Sequence, residues 1–254
     1  MKDSHNFIFL IGSQHAGTRI LANIFYGSGY FLGERIYNAG EPLHHEPLVK
    51  LVKATLPFVH DEGNHRWNIE HLFEDTPEIA KVLMRKQIEL LEIENQDLIC
   101  IKYPDAILAL PWLVELCPNV RFIHVHRHPT TCLNGTYLNM EQFGGTRFDF
   151  MDNYRKHDIY HHASIICYQH QLVRRTLAAY PTIKYLPIRI EDGLDDPDVI
   201  AEKIEEFTGR TMIRNVQIDK ARFFKSIEDL VDYPFLSEYT EDIYGNSDDQ
   251  YHQP

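Results

Sequence analysis

The sequence predicts a three-layer α/β/α fold built on a central parallel sheet, and three observations carry that expectation. Residues 7–11 (FIFLI) form an apolar run that ends in a loop with Gly12 and Gly17 and passes directly into helix-like spacing. Residues 98–103 (LICIKY) and 120–125 (VRFIHV) read as fully buried strands. The apolar stretch from Asp105 to Cys117 between them reads as a short helix, and two such strands joined by a helix make a βαβ unit, whose strands lie parallel.

In chain order, the strand over 7–11 leads to a helix over 17–27, and a mixed, loop-rich stretch follows from Tyr30 to Asp75. Asp75-Thr76-Pro77-Glu78 is a helix-start signal, since proline suits the first turn, and helical periodicity continues to about Glu94. After the βαβ unit come a helix following Pro129 and a glycine-containing loop around Gly144 and Gly145. Residues 152–180 have the pattern of a long helix, 183–189 of a strand, and 197–208 of a helix that stops near Gly209. From about Ser237 the chain is polar and acidic enough for a loose tail, although Tyr239, Tyr244 and Tyr251 offer ways to dock it. No repeat or low-complexity segment interrupts residues 1–254, which read as a single domain able to bury a large core.

A net charge of −12 speaks against nucleic acid or an anionic membrane as the main partner, so an anionic ligand needs a local basic pocket within an acidic surface. No apolar segment is long enough to span a bilayer, and Met1 to Asn6 lacks a signal-peptide pattern, which points to a cytoplasmic protein. Cys100, Cys117, Cys132 and Cys167 sit far apart within expected elements, without metal-ligand pairs, and read as reduced core thiols. Among fifteen histidines, His124, His126 and His128 alternate along a strand, and His44-His45-Glu46 and His157 with His161-His162 form other clusters. None has a recognised zinc spacing, so no metal is expected.

Successive backbone N–H groups in the Gly12 to Thr18 loop, together with the positive end of the following helix dipole, suit phosphate or a sulfate-like group without a cationic side chain. Glycine serving turn geometry alone is the plainer alternative. The Gly12 to Gly17 spacing is that of the nucleotide-binding P-loop, G-x-x-x-x-G-K-[ST], yet Thr18 stands where the lysine belongs and Arg19 where the magnesium-binding hydroxyl belongs. That mismatch argues against a conventional ATPase or kinase. In parallel sheets ligands sit beyond the carboxyl ends of the strands, so Lys102, Arg127 and this loop are expected to converge on one edge. An arginine fork and a lysine facing a helix N-terminus suit a doubly phosphorylated nucleotide.

With these residues in place, the chain resembles the sulfotransferases that use 3'-phosphoadenosine 5'-phosphosulfate (PAPS). Their loop, of the form G-x-P-[RK]-S-G-T-T-L-L, binds the 5'-phosphosulfate. Here GSQHAGTRIL keeps Gly12, Gly17, Thr18, Ile20 and Leu21, with Gln14, His15, Ala16 and Arg19 at the proline, Arg/Lys, serine and second threonine positions. The family's second signature, an apolar strand ending R-x-P, binds the 3'-phosphate. Arg127 and Pro129 match it, whereas the serine eight residues after the arginine falls on Gly135, leaving Thr136 to supply a hydroxyl. IKYPDAILALPWLVELCPNVRFIHVHRHP is similar to the family's K-x-P segment, helix and R-x-P strand, and PIRIEDGLDDPDVIAEKIEEFTG to its strand-E-D-L-x-x-x-P-helix element, so the resemblance spans roughly residues 7–209.

The resemblance implies a P-loop NTPase-like sulfotransferase fold, with PAPS as donor and PAP as product. It implies metal-free transfer of a sulfuryl group to a hydroxyl or amine of a small-molecule or glycan acceptor. Gly12, Ser13, Gln14, His15, Ala16, Gly17, Thr18 and Arg19 would hold the 5'-phosphosulfate, and Arg127 with Thr136 the 3'-phosphate. His15, as imidazolium, would stabilise charge on the bridging oxygen, and Lys102 resembles the lysine that approaches the sulfonate end. The base that takes the acceptor's proton is sought among Glu41, His44, His45 and Glu46 in the loop after the first helix, or at Asp105. Glu46 has a second reading as a carboxylate favouring a helix start at 46–54, and Lys102 as the partner of Asp105 in a salt bridge. The rival functions are a P-loop phosphotransferase or kinase, and a non-catalytic PAP- or nucleotide-binding protein of the same fold, favoured by the departures at His15 and Gly135.

Overall fold

The computed structural model describes residues 7–13, 15–33, 45–91, 96–129, 131–133, 159–214, 216 and 218. Strand β1 (Phe7–Gly12) leads into helix α1 (Thr18–Gly27). After α2 (Glu46–Ala54), a hairpin of β2 (His60–Gly63) and β3 (Arg66–Asn68) precedes α3 (Glu78–Leu90). β4 (Ile99–Lys102), α4 (Leu110–Leu116) and β5 (Arg121–His126) form the expected βαβ unit. α5 (Ile159–Ala179), β6 (Lys184–Arg189) and α6 (Asp198–Thr208) follow.

The sheet has the order β4-β1-β5-β6, and all its strands run parallel. β1 is buried along its whole length because alternate side chains serve two cores. Phe7, Phe9 and Ile11 pack with residues of α2, α3, α4 and α5, whereas Ile8 and Leu10 pack with α1 and α6. Helices on both faces of one sheet are the three layers that the apolar runs predict. Pro187 stands in β6, the last strand of the order, where a missing N–H is tolerated.

Three elements differ from expectation. The helix expected from Asp105 to Cys117 is split into a 3-10 turn, Pro104–Ala109, and the shorter α4. Pro111 accounts for the break, because its ring cannot follow a continuous α-helical path but fits an N-terminal position of a new helix. Within the loop-rich stretch the chain makes the β2–β3 hairpin, turned by left-handed Asn64 (φ 52°) and His65 (φ 58°). α3 ends at Leu90, earlier than Glu94, and the Thr76 hydroxyl before it bonds the Glu115 carboxylate and does not cap the helix. Gly144, Gly145, residues 152–158 of the expected long helix and the tail from about 237 lie outside the described residues.

α5 is held from the hairpin side by an amide that imitates a neighbouring strand. Gln171 Nε2 donates to the Trp67 carbonyl (2.7 Å), while its Oε1 accepts from the Trp67 N–H (3.3 Å). One turn on, Arg175 forks onto Glu70 (3.0 and 2.8 Å) and lies over the Phe73 ring. Among the described residues, no helix is long and apolar enough to cross a membrane.

β1 and β5 meet closely where the loop begins. A Cβ at Gly12 would stand 2.6 Å from the Val125 carbonyl oxygen. Backbone cannot yield as a side chain does, so Gly12→Ala is expected to destabilise the protein by about 3 kcal/mol, read as a lower urea midpoint at unchanged slope. A midpoint equal to wild type would show that the strands part without cost.

Candidate functional site

The carboxyl ends of β1, β4 and β5 bring together the loop, Lys102 and Arg127, as expected from their place at strand ends. Lys102 and Arg127 are 4% and 7% exposed, burial that a cation tolerates only where negative charge or hydrogen-bond acceptors meet it. The Ala16 N–H bonds the Ser13 carbonyl (3.2 Å), His15 is left-handed (φ 62°), and Gly17 (φ 98°) turns the chain into α1. A Cβ at Gly17 would stand 2.9 Å from Ile190, so glycine is needed for space as well as for its dihedral. α1 starts without a side-chain cap and without an acidic residue in its first turn, so its positive end is not neutralised from within the helix.

Arg127 does more than face this loop. Its Nη1 donates to the His15 carbonyl (2.9 Å) and its Nε to the Thr131 hydroxyl (3.1 Å), which in turn donates to the His128 carbonyl (2.9 Å). The His128 N–H is taken by Glu191 Oε1 (2.7 Å), just beyond β6. The turn after β5 is therefore pinned from two directions.

His15 itself is exposed to solvent, and its imidazole lies below the ordinary histidine value. Partial withdrawal from water contributes most, followed by the positive charges of Arg127, Arg19 and Lys102. Without a bound anion, His15 is accordingly biased toward the neutral ring and not toward the imidazolium that the loop resemblance implies. A polyanion against the same cations would work in the opposite sense.

The base candidates separate cleanly. His45 precedes α2 and packs its ring against Tyr103 (5.2 Å between centroids), the residue after Lys102. Glu46 faces solvent, and Lys50, 2.7 Å away, holds its carboxyl below the usual range. Asp105 is 1% exposed within the 3-10 turn that follows Lys102. Glu41, His44, Gln14, Gly135 and Thr136 lie outside the described residues.

His124, His126, Cys100, Cys117 and Cys132 are core residues. His124 and His126, 3% and 2% exposed, have ring centroids 3.8 Å apart with the planes tilted by 41°, and His124 Nδ1 shares a 2.6 Å hydrogen bond with the Tyr185 hydroxyl. Burial above all drives His124 well below the usual value and His126 down to about 3, which favours the neutral form of both rings. All four cysteines are free thiols, and burial pushes Cys117 and Cys132 up to about 12. Among the described residues there is no group of three or more His, Cys, Asp or Glu that could hold a metal.

A family model described as "Sulfotransferase family" matches residues 8–213, the stretch that contains the loop, Lys102, Arg127 and, but for Phe7, every strand of the four-stranded sheet. The chain belongs to the sulfotransferase family. No curated protein matches it at the level of sequence. Among solved structures, this sulfotransferase is similar to the sulfotransferase domain from the curacin biosynthetic pathway, at 14% identity and a TM-score of 0.56, over 92% of this chain and 97% of that one. It also resembles sulfotransferase STF1 from Mycobacterium tuberculosis H37Rv, at 14% identity and TM-score 0.51 over 94% of this chain and 76% of that one. The sulfotransferase from Alicyclobacillus acidocaldarius aligns at 10% identity and TM-score 0.52 over 94% and 91%. These likenesses carry the fold.

Sequence reasoning about this sulfotransferase missed three residues at the edge: Thr131, Glu191 and Gln169, whose Oε1 accepts from the Ser13 hydroxyl (2.6 Å). Glu191 had a signal, as the glutamate of the strand-E-D element. Gln169 had none, being one polar residue in a long helix.

Proposed function

We propose that this sulfotransferase moves a sulfuryl group from PAPS to a hydroxyl or amine of a small-molecule or glycan acceptor. The observation that carries the reading is the bond from Arg127 to the His15 carbonyl, which joins the end of β5 to the loop beside an uncapped helix start. The group to be bound fits this edge, since three cations and a positive helix end gather there and α1 has no acid in its first turn. When bound, PAPS supplies an activated sulfuryl group on a phosphate leaving group.

The chain's own residues do the rest. The loop N–H groups and α1 hold the 5' end, while Arg127, rigid and always charged, takes the 3'-phosphate. Lys102 and His15 face the negative charge that grows as the bond to the leaving group breaks. His45, set by Tyr103 beside the strand carrying Lys102, takes the acceptor's proton. The acidic surface elsewhere leaves this edge as the attractive place for an anion.

PAP is expected to raise the melting temperature more than AMP at equal concentration. A ligand bound only by the folded state adds about 2.7 kcal/mol at a hundredfold excess over its dissociation constant. Equal shifts with AMP and PAP would remove the 3'-phosphate site. Magnesium-dependent ATP binding would select a phosphotransferase, and tight PAP binding without turnover across an acceptor panel would select a binding protein.

A further inference from the structure

The loop's shape is held at two points only two residues apart. Arg127 Nη1 fixes the His15 carbonyl, and the Ser13 hydroxyl donates to Gln169 Oε1 across 156 positions of sequence. His15, one of these two points, is in a left-handed conformation, which a residue other than glycine keeps only when its surroundings over-determine it. Gln169 is 3% exposed and its amide oxygen accepts from Ser13, whereas Gln171 and Arg175 of the same helix bond Trp67 of the hairpin and Glu70 just beyond it. A buried amide kept for a loop hydroxyl is costly unless the bond is made, so the contact defines where Ser13 stands.

We propose that Gln169 is a positioning residue for the donor loop: acting through Ser13, it lets α5 set the conformation in which the loop N–H groups converge. The inference rests on the PAPS reading above. With its hydroxyl committed to α5, Ser13 serves the anion through its backbone. Preorganisation of this kind shows in binding of the nucleotide before any chemistry, because a loop free to relax must be reordered by the ligand itself.

PAP affinity measured by calorimetry on wild type, Gln169→Leu, Ser13→Ala and the double variant tests this. Each single change is expected to weaken PAP on the order of tenfold, and the double no further, since both remove the same bond. KM for the donor should rise by a similar factor while kcat at saturating donor stays within about twofold, a split that general loosening of the fold would not give. Should Gln169→Leu fail to fold, Ser13→Ala at the other end of the bond decides alone. Wild type that binds PAP beside single variants that bind it equally well, or losses that add in the double variant, would overturn the proposal and leave the PAPS reading standing. Wild type that binds no PAP would overturn both.

Discussion

His15→Ala is expected to lower kcat about a hundredfold or more while PAP affinity changes only a few-fold, because removing one preorganised donor from a site of developing charge costs that much in turnover. The effect belongs in kcat because charge on the leaving oxygen is far larger in the transition state than in the bound ground state. The sign of the pH dependence follows from the surroundings of the ring. Partial withdrawal from water, then Arg127, Arg19 and Lys102, hold the free protein's His15 below the ordinary histidine value, so it takes up its proton at lower pH than an ordinary histidine does. A nucleotide polyanion offsets the three cations, and an NMR titration should show the His15 midpoint moving upward when PAP is added. His15→Arg, charged throughout, should retain turnover and keep it at alkaline pH, where wild type falls as the imidazolium is lost. The measurement is turnover against pH with any accepted acceptor. An alanine variant with wild-type kcat would reduce His15 to filling of the loop.

Arg127→Lys is expected to weaken PAP on the order of a hundredfold and AMP by less, since two charge-assisted bonds to a phosphate are replaced by one point charge. AMP should not escape altogether. The same guanidinium fixes the His15 carbonyl and the Thr131 hydroxyl, so lysine also loosens the loop that any 5'-phosphate would use. Calorimetry with both nucleotides separates the two roles. Equal losses for AMP and PAP would leave Arg127 as a brace for the loop alone, and unchanged PAP affinity would remove it from the site.

What the sequence discloses here divides by range. β1, β4 and β5 are legible because each is a short, largely apolar run, and both faces of each strand are in fact buried or nearly so. Gly12, Lys102 and Arg127 are legible for the same reason, as the residues at which those runs stop, and Gly17 by its spacing from Gly12. The hairpin is not, because His60–Gly63 is polar and exposed, and its partner strand β3 is held at Trp67 by Gln171, a hundred residues away in sequence. Nor could spacing choose between His45 and Glu46. That choice depends on the residue at which α2 begins, which turns one side chain toward Tyr103 and the next into solvent. His15 is the instructive case: its position in the loop is readable, but its preferred charge state depends on three cations brought in from α1, β4 and the end of β5.

The strand order β4-β1-β5-β6 also bears on how the chain is made. β1 emerges from the ribosome first, yet its partners β4 and β5 are encoded about ninety residues and more downstream. At ordinary rates of synthesis, FIFLIG waits roughly five to twenty seconds with both edges unpaired and five of its six residues strongly apolar. Such a segment can pair with its like on another nascent chain. Yield in cells should therefore depend on chaperone capacity and growth temperature more steeply than the stability of the finished sheet would indicate, and slower translation ahead of β4 should lower it further.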